Sequence, residues 1–218
     1  MRTIKTLMLW LIGATVIADV AVAQPGLRLG IGGGFTAGGH DVSYNPVAGS
    51  GFVSAVRSAQ YSGGNINGKL KLDFLLTLTG HLTYNLLTTS SQTAVNVGGV
   101  PINNPFAPTG SRLNVLNAAV GLELPLRLPI ITPYIGADIG LYNITPEGQS
   151  AYTRYGAGIG VGVEIYPPLI PIAFEVEARY RLANLIGRDE ITVQNLVRAP
   201  ENALNYVQIS AMLLFKLF

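Results

Sequence analysis

Residues 155–166 read YGAGIGVGVEIY, and every second residue from Gly156 to Gly162 is glycine. Apolar residues stand between the glycines, so the stretch has a period of two rather than the helical period of 3.6. Strict alternation is typical of a β-strand, in which successive side chains point to opposite faces. The stretch therefore predicts a strand with one aliphatic face and one face that is almost without side chains.

The same alternation recurs along the chain and predicts eight strands, at residues 27–37, 67–75, 79–90, 113–125, 131–144, 155–166, 172–185 and 204–217. Turns of a few residues alternate with long connections, which cover residues 38–66, 91–112, 145–154 and 186–203. This alternation predicts an up-and-down meander that carries all its long loops at one end.

The composition indicates which face of these strands points outward. Hydrophobic residues make up 49% of the 218 residues and charged residues only 12%, whereas soluble domains carry about 25% charged residues. A soluble barrel would put the aliphatic face inside and cover itself mostly with glycine, which is a poor polar surface. The composition therefore favours a barrel whose aliphatic face contacts lipid, with a soluble periplasmic barrel as the alternative.

The first 24 residues, MRTIKTLMLWLIGATVIADVAVAQ, have the three parts of a secretory signal peptide. Two basic residues precede a short apolar run, and Ala21-Val22-Ala23 supplies a cleavage site of small residues. The run is shorter than the ~20 residues that a transmembrane helix needs. The prediction is a cleavable signal peptide over residues 1–23 and a barrel domain over residues 24–218.

Together these features resemble the small eight-stranded outer-membrane β-barrels of Gram-negative bacteria, in the porin-like superfamily. The resemblance implies an all-β, eight-stranded antiparallel up-and-down transmembrane barrel in the cell outer membrane, with its short turns in the periplasm. It also implies that the terminal Phe218 is a signal for the outer-membrane assembly machinery. One departure is that the alternation of the last strand places Phe218 and Phe215 on opposite faces.

Aromatic residues of the aliphatic face lie near the strand ends, as in the two girdles of membrane barrels. The predicted periplasmic girdle is Phe74, Phe174 and Phe215, and the predicted outer girdle is Phe35, Tyr155 and Tyr180.

The opposite face predicts a lumen of charges and glycines. The predicted polar network is Arg28, Lys69, Lys71, Asp73, Glu123, Asp138, Glu164, Glu175, Glu177, Arg179 and Arg181, with Lys216 at the barrel end. The predicted lumen glycines are Gly30, Gly32, Gly34, Gly136, Gly140, Gly156, Gly158, Gly160 and Gly162. Eight strands enclose only enough space for side chains, so paired charges that fill the lumen are favoured. The alternative is that the glycines leave a narrow pore or a cleft for a small ligand.

Other chemistry is weakly supported. The glycine runs lack the G-x-G-x-x-G spacing of a dinucleotide site, and the absence of cysteine removes thiolate chemistry. His40, Asp41 and Ser43, in the first predicted loop, give a faint case for a lipid-modifying enzyme. We predict no enzyme, cofactor or metal site.

The predicted partners follow from the prediction of an outer-membrane barrel. They are outer-membrane lipid, the assembly machinery and a possible extracellular ligand at the long loops. The net charge of +2 comes without a basic cluster, which argues against nucleic acid, and the barrel is expected to be a monomer. The short turns contain PLRLPII and PPLIPI, which are more apolar than turns in an aqueous periplasm should be.

Overall fold

The structure is a computed structural model, and it describes residues 26–44, 53–92, 95–97, 100–102, 110–168, 170–187, 190–193, 197–200 and 203–217. The predicted signal peptide and Phe218 lie outside these residues and stay predictions. Among the described residues, no helix is both long enough and apolar enough to cross a membrane.

Eight long strands form the body of the protein and four short strands form two hairpins between them. The long strands are β1 (Gly26–Tyr44), β2 (Val53–Asp73), β3 (Thr77–Gln92), β6 (Arg112–Pro125), β7 (Ile131–Pro146), β8 (Tyr152–Ile165), β9 (Ile172–Ile186) and β12 (Asn205–Lys216). The short strands are β4 (Val95–Val97), β5 (Val100–Ile102), β10 (Glu190–Val193) and β11 (Val197–Pro200).

Every long strand pairs antiparallel with both of its neighbours. The order around the ring is β1, β12, β9, β8, β7, β6, β3 and β2. β1 closes the ring because it pairs with β2 on one edge and with β12 on the other, so that Arg28 lies opposite both Lys71 and Lys216. The predicted all-β barrel of eight antiparallel strands is confirmed.

The first hairpin is longer than the sequence analysis predicts. β1 continues to Tyr44 and β2 begins at Val53, so most of the predicted 38–66 loop is strand. Glycine and small polar residues dominate this segment, and they give no hydrophobic alternation from which a strand could be recognised.

This extension corrects the placement of the candidate catalytic motif. His40, Asp41 and Ser43 lie within β1, and their positions pair with Ala59, Ser58 and Val56 of β2. The prediction that they lie on an irregular loop is wrong.

The two faces of the barrel wall have opposite polarity. Ile139 of β7 is 67% exposed on the outer face, whereas Arg179 of β9 is 1% exposed on the inner face. The described outer face is aliphatic and aromatic on all eight strands, and the inner face carries the charges. A soluble barrel has the reverse arrangement, so the outward polarity is that of a barrel in lipid.

Candidate functional site

The barrel interior is the candidate site, and it divides into three zones along the barrel axis. The charged zone lies nearest the short turns and holds all eleven predicted network residues: Arg28, Lys69, Lys71, Asp73, Glu123, Asp138, Glu164, Glu175, Glu177, Arg179 and Arg181. Ten of these residues are buried and Asp73 is half-buried. Lys216, by contrast, is exposed at the end of β12.

Arg28 closes the charged zone at the short-turn end. Its Nε and Nη2 atoms lie 2.6 and 2.7 Å from the two carboxylate oxygens of Asp73, which is a bidentate pair. Its Nη1 atom contacts Glu164 and the hydroxyl of Tyr166. One guanidinium therefore joins β1, β2 and the end of β8.

Two lysines occupy the centre of the charged zone. Lys69 Nζ lies 2.7 Å from both Glu123 and Glu177 and also contacts Glu175. Lys71 Nζ lies 2.5 Å from Glu123 and 3.2 Å from Glu175, and it contacts Glu164. Lys69 thus bridges carboxylates of β6 and β9, and Lys71 bridges carboxylates of β6, β8 and β9.

Tyr134 packs among these groups. Its hydroxyl lies 2.5 Å from a Glu175 oxygen and 2.8 Å from a Glu177 oxygen and donates to this carboxylate pair. Its ring centre is 4.4 Å from Lys71 Nζ and 5.0 Å from Lys69 Nζ, which is within the range of a cation–π contact. The aromatic ring therefore supports both buried cations.

Two arginines of β9 complete the charged zone. Arg179 donates from Nε and Nη2 to Glu177 at 2.8 and 2.7 Å and contacts Asp138. Arg181 contacts the other oxygen of Asp138, so this carboxylate joins both guanidinium groups.

Within the described residues, the charged zone contains five cations and six carboxylates. Each of these groups has a group of opposite charge within 4 Å. Burial of single ions costs several kcal/mol each, so pairing at this density is what makes the zone tolerable. Oxygens of Glu123, Glu175 and Glu177 lie within 4.8 Å of one another, as metal ligands would. Lys69 Nζ already contacts all three carboxylates and takes the position that a metal ion would need, so the group does not argue for a metal.

The glycines of β8 lie under large side chains of the neighbouring strands. A Cβ atom at Gly162 would be 2.3 Å from Tyr134 Oη, and one at Gly156 would be 2.5 Å from the Tyr142 ring. At Gly158 and Gly160 the nearest side chains are Arg181 with Asp138, and Arg179. The space above the row is therefore filled by two tyrosines and two arginines.

Close neighbouring atoms also explain why the other predicted lumen positions are glycine. At Gly32 and Gly34 a Cβ atom would lie 2.0 and 1.9 Å from carbonyl oxygens of β12, so close strand approach requires glycine. At Gly140 it would meet β6, at 2.5 Å from the Ala118 carbonyl oxygen. Gly30 and Gly136 lie against the side chains of Leu214 and Glu123, at 2.7 and 2.9 Å.

A neutral zone of amides and hydroxyls lies beside the arginines, on β1, β2, β3 and β12. Thr36 Oγ1 lies 2.8 Å from Asn85 Oδ1 and 2.9 Å from Asn65 Nδ2. Asn67 continues the chain of bonds to Asn65 at 2.7 Å. The remaining members are Ser210 and Gln208, at 3.0 and 2.6 Å from Asn67.

An apolar zone closes the interior at the long-loop end. It consists of Leu87, Leu113, Val115, Tyr142, Ile144, Ala183, Leu204 and Tyr206, all 5% exposed or less. The half-buried Tyr61 and Tyr152 pack against this apolar zone. The barrel interior is therefore occupied by charged, neutral and apolar side chains in succession.

The aromatic residues predicted as girdles lie on the outer surface. Phe35, Phe74, Tyr155, Phe174 and Tyr180 are 40–61% exposed, and Phe215 is half-buried. Phe74 lies in the first short turn rather than in a strand. Their arrangement as two interfacial girdles stays a prediction.

The sequence analysis missed several interior residues. Tyr134 and Tyr142 share the alternation of Asp138 on β7, which was a usable signal. Thr36 shares the alternation of Arg28 on β1 and Asn67 that of Lys69 on β2, so they carried the same signal, whereas Asn65 lay in the predicted 38–66 loop.

Solved structures that are similar to this chain share little sequence with it. No family model and no curated protein matches the sequence. Neisserial surface protein A is 12% identical, with a TM-score of 0.49 over 87% of this chain and 96% of that one. The outer membrane protease OmpT from Escherichia coli is 10% identical, with a TM-score of 0.41 over 88% of this chain and 96% of that one. These identities are too low to transfer a function or a residue role.

The barrel's own geometry is therefore what classifies it. A closed ring of antiparallel strands with charges inside and an apolar surface outside spans a membrane without any unpaired strand edge. The chain is an eight-stranded outer-membrane β-barrel.

Proposed function

We propose that the protein is a closed, non-conducting outer-membrane barrel with a structural or adhesive role at the cell surface. The observation that carries the proposal is the succession of charged, neutral and apolar zones, which occupies the interior from the short turns to the long loops. A lumen of eight strands has room for side chains and little else.

The alternative of a narrow pore or ligand-binding barrel depended on free space beside the lumen glycines. The four glycines of β8 face tyrosine or arginine side chains, which leave no room for a methyl group at Gly156 and Gly162 and only tight space at Gly158 and Gly160. The apolar zone would also have to part before ions or polar solutes could pass, because the aliphatic side chains that make up most of it cannot replace a hydration shell. The geometry favours the closed barrel.

We further propose that the protein is not an enzyme. The candidate motif of His40, Asp41 and Ser43 depended on a free loop, and these positions lie in the paired strand β1. In the charged zone each carboxylate is already engaged by a cation. Such pairing suits a structural network rather than an acid or base that must exchange protons with a substrate.

Planar-bilayer recordings test the closed barrel. Purified protein that shows the heat-modifiable gel migration of folded barrels should give no stable, discrete current steps. A general porin reconstituted in the same bilayers is the positive control. Reproducible single-channel steps from the folded protein would overturn the proposal.

The surface role is assigned to the long-loop end, where the β4–β5 and β10–β11 hairpins lie between barrel strands. An extracellular ligand at these loops, monomeric state and insertion by the assembly machinery through Phe218 belong to the same proposal.

Replacement of residues 188–202 by a short glycine-serine turn tests the adhesive role. Cells that display this variant should lose adhesion to the surfaces that wild-type cells bind, while the barrel keeps its heat-modifiable migration. A matched replacement of residues 147–150 controls for general surface change, because β7 ends at Pro146 and β8 begins at Tyr152, which makes this connection shorter than the predicted 145–154. Unchanged adhesion after the connections between β1 and β2, β3 and β6, and β9 and β12 are shortened together would refute the adhesive role.

A further inference from the structure

The short turns carry a ring of exposed apolar side chains, which we call the turn rim. It consists of Phe74, Leu75, Leu128, Ile130 and Ile170, which are 44–55% exposed. These residues belong to the turns between β2 and β3, β6 and β7, and β8 and β9. Exposed apolar side chains on three turns at one end of the barrel form a patch of the kind that marks an interaction surface.

Among the described residues, neutral polar side chains border the outer apolar surface at the long-loop end but not at the short-turn end. At the long-loop end, Asn114 and Asn143 follow the last outward leucines of β6 and β7, and Thr88 does so on β3. At the short-turn end the apolar surface continues without a break into the turn rim. The segments 74–76, 126–130 and 166–171 contain no acidic residue.

The outer apolar surface of the barrel strands, which we call the lipid-facing belt, has a height that places the turn rim beyond the hydrocarbon core. From Leu116 to Leu126 the outward residues of β6 and its turn are uninterrupted. At ~3.4 Å per residue and a strand tilt of ~40°, these ten steps rise about 25 Å. This height matches the ~25 Å apolar band of outer-membrane barrels. Leu128 and Ile130 therefore lie past the end of the band, at the depth of the lipid headgroups.

Two cations accompany the turn rim. Arg127 directly precedes Leu128 and donates Nη2 to the Phe74 carbonyl oxygen at 2.5 Å, which connects the second turn to the first. Lys216 is exposed at the same end of the barrel. Basic side chains beside an apolar surface extend toward the phosphates of the membrane interface.

We propose that the turn rim binds phospholipid, with its apolar side chains at the boundary between headgroups and acyl chains and with Arg127 and Lys216 at the level of the phosphates. Continuity with the lipid-facing belt and the adjacent cations assign the surface to lipid rather than to a periplasmic protein. The proposal goes beyond the closed-barrel function, because an open or a closed lumen leaves the turn rim unchanged.

Single tryptophan residues can locate the turn rim in a bilayer. The chain has one tryptophan, Trp10, so a Trp10→Phe background is free of others whether or not the signal peptide is cleaved. Leu75→Trp and Leu128→Trp report on the turn rim. Val120→Trp reports on the middle of the belt, and Gln149→Trp reports on the exposed long-loop end.

Each variant is reconstituted in phosphatidylethanolamine–phosphatidylglycerol vesicles whose acyl chains carry bromine at a shallow or a deep position. We expect shallow bromine to quench the two turn-rim tryptophans more than deep bromine does. Val120→Trp should show the reverse order, and Gln149→Trp should be quenched by neither. The heat-modifiable migration of each variant establishes that it is folded.

Turn-rim tryptophans that escape both bromines, emit at the wavelength of Gln149→Trp and are quenched by aqueous iodide would overturn the proposal. That result would leave the surface free for a periplasmic protein. The planar-bilayer recordings are independent of this outcome, so failure of one proposal is distinguishable from failure of the other.

Discussion

Replacement of Lys69 by methionine is expected to lower the free energy of unfolding by about 3–5 kcal/mol, the usual cost of removing one partner from a buried ion network. Methionine keeps most of the side-chain volume, so the effect comes from the charge. Lys69 Nζ is the shared partner of Glu123, Glu175 and Glu177, whose oxygens lie within 4.8 Å of one another. Without it, three buried carboxylates repel one another with less compensation.

Unfolding by urea in lipid vesicles, followed by gel migration, measures this effect. A chelator belongs in the buffer, because three carboxylates without their lysine form a site that could take up a divalent cation. Arg112→Met is the control, since removal of a charge from an exposed side chain at the long-loop end should stay within about 0.5 kcal/mol of wild type.

A double-mutant cycle identifies the cause of the loss. Glu175→Gln removes one charge from the carboxylate group that Lys69→Met leaves behind. In the Lys69→Met background it should cost less than in wild type, or restore stability, with a coupling of about 1–3 kcal/mol. Additive effects in the cycle, or a Lys69→Met barrel as stable as wild type, would show that the charged zone is not held by this lysine.

The sequence determines much of the charged zone because the alternation is strict where the wall crosses lipid. There every outward residue must be apolar, so a charge such as Glu164 or Arg179 can only lie inside. The same rule could have identified Tyr134 and Tyr142, which share a face with Asp138. A tyrosine is tolerated on both faces of a membrane barrel, however, and polarity alone does not place it.

The rule that outward residues are apolar and inward residues polar does not hold for the parts of the strands beyond the membrane. Leu113 and Val115 share the inward alternation of Glu123, yet they are apolar, because the interior near the long loops is closed by hydrophobic packing. In β1 and β2 the glycine-rich ends extend past the lipid, where neither face must be apolar. Those strand ends leave no periodic signal, and their pairing became evident only from the register.

Substitution of Gly162 by alanine is expected to cost about 1–3 kcal/mol of stability, the usual effect of overpacking a filled interior. The new methyl group would lie 2.3 Å from Tyr134 Oη and 2.4 Å from Cζ. Tyr134 has little freedom to move aside, since its hydroxyl bonds Glu175 and Glu177. Movement of the ring would also withdraw it from Lys69.

Gly80→Ala is the matched control for this substitution. Gly80 lies on the outward face of β3, where the nearest atom to a new Cβ is Leu70 Cβ at 3.8 Å. Its replacement should stay within about 0.5 kcal/mol of wild type, because it buries no clash. The same urea titration in vesicles measures both variants, and equal losses would show that the filled lumen does not explain the glycine row.

The glycine at 162 and the tyrosine at 134 should behave as one unit. In a Tyr134→Ala background the space above Gly162 is open, so Gly162→Ala should cost clearly less there than in wild type, with a coupling of at least about 0.5 kcal/mol. A full cost in both backgrounds would place the strain in the β8 backbone instead. Because Tyr134 also supports the two buried lysines, this coupling would link the glycine row directly to the ion network that fills the barrel.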